Sequence, residues 1–209
     1  MMDAGRVTGP DGFVLLPGYF DRAAQESLLA GVLGGIGAAP LYRPSMPRNG
    51  QPLSVQMSNF GPLGWVADQA GYRYEPEHPV TGAPWPSMPP ALLELWAAVS
   101  GWHQPPQACL ITVYGPDSRL GLHVDADEDA RDAPVVSVSL GDRARFRLGG
   151  PLRNSPSRSL VLSSGDVVVL GGASRRFFHG VDRIYPGTST LLPAPFHPGR
   201  INLTLRRVR

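Results

Sequence analysis

Pro134-Val-Val-Ser-Val-Ser-Leu-Gly141 decides the fold. Apolar and small polar residues alternate with period two, the mark of a half-buried strand. Arg143–Leu148 alternates next, with Phe146 and Leu148 predicted inward and Arg143, Arg145 and Arg147 outward. Leu110–Tyr114, Ser159–Leu162, Asp166–Leu170 and Ile201–Leu205 read as further strands. A Ser-Ser-Gly turn separates two of them. Many short strands with turn signals predict a sandwich or barrel, with a jelly roll as the preferred closed form.

Upstream the pattern changes. Phe13–Leu16 reads as a short strand, and Asp21 can cap a helix through Ala23–Leu33. Gly31-Val-Leu-Gly34-Gly35-Ile-Gly37 follows a helix rather than a strand, so it reads as a helix stop and not as a dinucleotide loop. Residues 40–90 hold eleven Pro, which forbids long regular elements. They also hold Tyr42, Phe60, Trp65, Tyr72, Tyr74 and Trp85. Linkers are poor in aromatics, so this segment reads as a structured lid. Pro89-Pro90 then opens a helix over Ala91–Ser100.

Composition narrows the chemistry. The 209 residues include 25 Gly and 23 Pro, about twice the roughly 12% of average usage. All nineteen basic residues are Arg. Without Lys there is no Schiff base and no phosphate loop ending in Gly-Lys-Ser/Thr. A single cysteine, Cys109, excludes an intramolecular disulfide and a thiolate-only metal cage. The start of the chain has no basic-then-apolar leader, and no apolar run is long enough to span a membrane. A cytoplasmic protein with no membrane contact, monomeric, is expected. The net charge of +2 splits into −3 over residues 1–110 and +5 over 111–209. Asp125, Asp127, Glu128, Asp129 and Asp132 crowd one stretch of the basic half. A basic surface around an acidic spot suits an anionic polymer and a cation-attracting pocket, or is ordinary solvated charge.

His123-Val-Asp125 places two metal-ligand types at i and i+2, which on a strand share a face. His179 lies 56 residues on, after a strand, within reach in a jelly roll. Two imidazoles and a carboxylate on one side of a metal suit a non-haem Fe(II) oxygenase, with zinc and water as the competing reading. Arg200, Asn202, Thr204 and Arg206 share one strand face, so that face meets a wet cavity or solvent. Arg can grip a carboxylate through two parallel hydrogen bonds. Tyr114 can add a hydroxyl donor.

The order His123-x-Asp125, His179, Arg200-x-Asn202-x-Thr204-x-Arg206 resembles the AlkB family of Fe(II)/2-oxoglutarate dioxygenases. Met57-Ser-Asn59-x-Gly61-x-Leu63-Gly64-Trp65, Gly71-Tyr72-x-Tyr74, Pro84-Trp85-Pro86-x-Met88-Pro89 and Gly165-Asp166-Val-Val-Val-x-Gly-Gly172 match the bacterial type, as does the opening stretch. The resemblance covers roughly residue 40 onward, and residues 13–40 more thinly.

It implies a mainly β (α+β) single domain over 1–209. A double-stranded β-helix core over 107–209 would carry N-terminal helices and a nucleotide-recognition lid over 40–90. It implies oxidative demethylation of 1-methyladenine and 3-methylcytosine in DNA, single-stranded by preference, and in RNA, with formaldehyde, succinate and CO2 released. His123, Asp125 and His179 would bind Fe(II), and O2 would be consumed. Arg200 would hold the distal carboxylate of 2-oxoglutarate, with Thr112, Tyr114, Asn202, Thr204 and Arg206 completing that pocket. Trp65, Tyr72, Arg73, Tyr74, Asp127 and Arg153 would contact the substrate. Two positions depart from the family pattern: Thr112 replaces an Asn and Leu170 a Trp, which predicts altered co-substrate affinity. The alternatives are a hydroxylase of a protein or small metabolite, and a nucleic-acid-binding protein without turnover. Cys109 is expected as a buried hydrophobe, and His78, His103 and His197 as surface or loop residues.

Overall fold

The computed structural model describes residues 6–9 and 11–209, so part of the N-terminal reading lies outside the described residues. Two antiparallel sheets face each other. The larger has the order β1 (Val7–Thr8), β2 (Phe13–Leu16), β11 (Val167–Leu170), β8 (Val135–Gly141), β13 (Arg200–Arg206), β6 (Ala108–Tyr114), β3 (Gln56–Phe60). The smaller has the order β10 (Arg158–Leu162), β9 (Arg143–Leu148), β12 (His179–Tyr185), β7 (Leu120–His123). A separate hairpin pairs β4 (Gly64–Asp68) with β5 (Gly71–Glu75). This is the expected jelly roll, with strands within a residue or two of their predicted bounds.

Alternation assigns the faces. Val136, Val138 and Leu140 of β8, Cys109, Ile111 and Val113 of β6, and Ile201, Leu203 and Leu205 of β13 form one buried cluster with helices α1 (Arg22–Ala38) and α2 (Pro90–Val99). The other face looks toward the smaller sheet. There Leu110, Tyr114, Val135 and Val168 pack with Phe146, Leu148, Val181 and Ile184. The even positions of β13 lie on this inner face. Arg200, Thr204 and Arg206 are buried, so the polar row meets the interior and not open solvent.

One local expectation fails, and the reading of His78 as a surface or loop residue holds for the loop alone. Asp21 caps α1 through the Ala24 amide at 2.9 Å, but the helix continues through Gly34, Gly35 and Gly37 to Ala38. These glycines do not stop it. At Gly35 the Phe60 ring would lie 2.2 Å from an added Cβ, so the missing side chain lets α1 sit against β3. His78 is buried rather than superficial. Its Nδ1 accepts from the amides of Val80 (3.1 Å) and Thr81 (3.2 Å), and its Nε2 meets the Pro40 carbonyl at 2.7 Å. Tyr42 and Trp85 pack on its ring. The Pro-rich segment is therefore anchored by a histidine, with β3, β4 and β5 as its only strands among the described residues.

Candidate active site

The strand pairing of β7 with β12 sets His123 directly opposite His179. Their rings are 4.6 Å apart. Asp125 lies beyond the end of β7, so the shared-strand-face reading of His123 and Asp125 needs correction: β7 ends at His123 and a loop returns the carboxylate. One ligand atom from each of the three lies within 4.8 Å of the others. Each imidazole Nε2 is 3.8 Å from an Asp125 oxygen.

The imidazoles are oriented from behind. His123 Nδ1 meets the Gly121 carbonyl at 2.9 Å, and His179 Nδ1 meets the Phe177 carbonyl at 3.0 Å. A carbonyl only accepts, so each Nδ1 carries the hydrogen and each Nε2 keeps its lone pair for the centre. Burial pushes the His179 pKa down to about 4, so it is neutral at pH 7. Burial opposes charge on Asp125, but Arg206 and the two imidazoles outweigh it and hold the carboxyl well below the usual range. Asp125 Oδ1 accepts from Arg206 at 2.9 Å, whereas Oδ2 is buried and has no hydrogen-bond partner. A buried orphan oxygen is costly unless something else binds it. The donor set thus fits a divalent metal.

The inner face of β13 continues from there. Arg206 stands at the metal end. Arg200, six residues away, is about 20 Å further along the strand. Arg200 is fully buried. Its NH1 donates to the Asp142 carbonyl at 3.2 Å and its NH2 to Ser139 Oγ, while its Nε–H is unpartnered. Among the described residues no carboxylate forms an ion pair with it. Burial pushes its pKa down to about 10. A guanidinium has five N–H donors, so three are left for an incoming carboxylate. Tyr114 is the register partner of Arg200, and Thr112 that of Asn202. Asn202 spends its amide on Ser137 (3.0 Å) and Thr204 (2.9 Å), so it braces this face from within. Arg206 donates from NH2 to Asp125 and lies in ion-pair range of Glu128, with Nε and NH1 both lacking a hydrogen-bond partner. Ser137 and Ser139 were legible as polar positions of an alternating strand but were not singled out.

The β4–β5 hairpin borders the centre. Trp65 donates its indole N–H to Asp127 Oδ2 at 2.8 Å, and Tyr72 stacks on Trp65 at 5.5 Å. Asp127 and Tyr72 are exposed. A cleft of about 540 Å³ opens beside them, lined also by Tyr74, Gln107 and Asp129. Arg153 donates to the Leu122 carbonyl at 3.4 Å and lies over the Phe178 ring, next in the chain to both histidines. Two expected substrate contacts are already spent. Arg73 is tied within the hairpin to Asp68 (2.9 Å) and Glu75 (2.7 Å). Tyr74 turns its hydroxyl inward onto Glu128. The sequence places Glu128 only within an acidic stretch and gives Arg175 no role, because nothing local marks either as interior.

A model of the 2OG-Fe(II) oxygenase superfamily matches residues 12–206. The alpha-ketoglutarate-dependent dioxygenase AlkB homolog of Caulobacter vibrioides is 50% identical over 210 aligned positions, covering 100% of this chain and 93% of that one. The chain belongs to the AlkB family. AlkB of Escherichia coli is 40% identical over 204 positions, covering 94% of this chain and 90% of that one. The solved structure of OsALKBH1 superposes with a TM-score of 0.79 at 32% identity, covering 97% of this chain and 99% of that one. This AlkB-family member is an Fe(II)- and 2-oxoglutarate-dependent dioxygenase that uses O2. No helix among the described residues is long and apolar enough to cross a membrane.

Proposed function

We propose that this chain removes alkyl groups oxidatively from the ring nitrogens of nucleic-acid bases, with 1-methyladenine and 3-methylcytosine in single-stranded DNA as first substrates and RNA as a further one. The observation that carries the reading is the combination of three features. They are the His123/Asp125/His179 cluster, the unpaired Arg200 on the inner face, and the Trp65–Asp127 pair on the bordering hairpin.

In this reading His123, Asp125 and His179 hold iron, and Arg200 receives the distal carboxylate of 2-oxoglutarate beside Tyr114 and Thr112. The bound iron, co-substrate and oxygen supply the oxidising chemistry, and formaldehyde, succinate and CO2 are released. The protein binds and aims. The substrate bases are cationic at neutral pH, so the Trp65 face attracts them by about 0.5–2 kcal/mol. Tyr72 covers one face of Trp65, so a base stacks on the other or takes the place of Tyr72. Trp65 holds one oxygen of Asp127 and leaves the other to accept from the exocyclic amine. A methylated Watson–Crick edge is hidden in a duplex, and a single strand avoids the cost of flipping the base out. Arg153 on the rim supports a phosphate contact. Residues 40–90 serve as the nucleotide-recognition lid over a core at 107–209.

The test is anaerobic loading with Fe(II) and 2-oxoglutarate in the presence of a 3-methylcytosine oligonucleotide, then oxygen. Formaldehyde and loss of the methyl mass are expected. Succinate release without demethylation, stimulated instead by a protein or small metabolite, would replace this substrate class with that one.

A further inference from the structure

We propose that Glu128 and Tyr74 are positioning residues that couple the β4–β5 hairpin to the metal-binding carboxylate of Asp125. Neither residue belongs to the donor set of the metal or to the Arg200 pocket. The inference rests on the proposed role of Asp125 as a metal ligand, and not on the identity of the substrate.

Glu128 is buried and serves two arginines at once. Its Oε2 accepts from Arg175 at 2.8 Å, and its Oε1 lies 3.4 Å from Arg206 Nε. Those two arginines hold Asp125 from different sides. Arg206 binds its side chain at 2.9 Å, and Arg175 binds its backbone carbonyl at 2.6 Å. Arg175 is also pinned to the Ala133 carbonyl at 2.8 Å. The two guanidinium groups and two carboxylates balance to zero net charge. That balance makes the burial of four charges tolerable, and the Arg206 bond to Oδ1 sets which Asp125 oxygen is left over. The leftover is Oδ2, the orphan.

A buried ion cluster can be purely structural. The hairpin makes this one more than that. Trp65 and Tyr74 are direct cross-strand partners on β4 and β5. Direct partners share a face of the pair. Trp65 grips Asp127 and Tyr74 grips Glu128, two successive carboxylates just beyond Asp125. The hairpin therefore holds the loop from Asp125 to Glu128 by two side chains. Burial raises the Tyr74 pKa well above its usual value, so the hydroxyl stays a donor. When the hairpin moves, Glu128 loses a donor, and both arginines that aim Asp125 lose part of their counter-charge environment. Metal binding and hairpin closure thus favour each other.

Such coupling is reciprocal, so one factor must appear in both directions. The experiment compares the full chain with Tyr74→Phe, which removes only the hydroxyl, and with Glu128→Gln. Mn(II) is the probe. Amide hydrogen exchange is followed over residues 64–75 with and without the metal, and Mn(II) affinity is titrated calorimetrically. In the unaltered chain Mn(II) is expected to slow exchange in the hairpin about tenfold, a typical coupling factor. Tyr74→Phe is expected to abolish that metal-dependent slowing and to weaken Mn(II) by the same factor. Slowing of β12 exchange by Mn(II) should persist. A merely structural hydroxyl gives a different pattern: faster hairpin exchange to the same degree with and without metal, at unchanged affinity. That pattern overturns the proposal. If Glu128→Gln fails to fold, Tyr74→Phe alone decides. If Mn(II) does not bind the unaltered chain, the metal assignment and this proposal fall together.

Discussion

Arg200→Met separates co-substrate binding from folding. Desolvation pushes the pKa of the buried guanidinium down to about 10, with Tyr114 and Asp166 only partly offsetting that. A depression of that size corresponds to about 3 kcal/mol against the charged form. The sign follows from proton counting. Above about pH 10 the unfolded chain still holds the proton that the folded chain has lost, so stability rises with pH there. The cost is therefore fully present at pH 7. Methionine removes it. Against this, Ser139 Oγ and the Asp142 carbonyl each lose a donor, at about 1 kcal/mol or slightly more apiece. The two effects nearly cancel. The melting temperature of the metal-free variant should stay within about 4 °C of the unaltered chain, and on the upper side. Co-substrate binding behaves otherwise. Losing two charge-assisted hydrogen bonds of about 1.5–3 kcal/mol each weakens 2-oxoglutarate by more than about 100-fold. Thermal melts and calorimetric titration of 2-oxoglutarate with Mn(II) in place of iron measure both. A large fall in melting temperature with unchanged 2-oxoglutarate affinity would show that Arg200 is a structural cation, and the reasoning would be wrong.

Asp125→Ala should abolish turnover and metal binding, and should destabilise the chain by about 3–5 kcal/mol because Arg206 is left buried beside the gap; denaturant titration checks the second part. Trp65→Phe keeps an aromatic face but drops the N–H to Asp127, so KM for a methylated oligonucleotide should rise about fivefold, the size of one hydrogen bond, with the 2-oxoglutarate KM unchanged. His78→Ala removes the partner of three backbone groups, and limited proteolysis should begin within residues 76–84. Burial pushes the Cys109 thiol up to about 12, so a thiol reagent at pH 8 should react only at the rate of unfolding.

The β13 face was legible because alternation is local: Arg200, Asn202, Thr204 and Arg206 must share a side wherever the strand goes. Which side was not legible, since burial depends on β8 and β6, whose paired residues lie 59 or more positions away in the chain. His123 and His179 could be nominated by type and order, but their register across β7 and β12 is a product of the closed fold. Asp125 shows the limit of pattern reading: the i, i+2 rule assumed a strand that ends one residue into the motif. The hairpin shows another. Arg73 and Tyr74 look like contacts for a polyanion by residue type, yet Asp68 and Glu75 sit close enough on the same hairpin to capture Arg73. Tyr74 meets Glu128 across 54 positions of chain, a distance at which sequence carries no signal without a partner to compare. Gly35 looks like punctuation because glycine usually ends helices, whereas close packing on Phe60 keeps it inside α1.

The central place of β13 also governs the order in which the enzyme can come into being. Every strand it pairs with precedes it in the chain, and it must slide between β8 and β6 to complete the larger sheet. His123, Asp125 and His179 all leave the ribosome earlier. Yet Arg206, which binds Asp125, and Arg200, the proposed partner of the keto acid, arrive together on that last ribbon. A chain that stops before β13 therefore lacks both the partner of Asp125 and the proposed anchor of the co-substrate. The strand that completes the larger sheet therefore also delivers both of these arginines to its inner face.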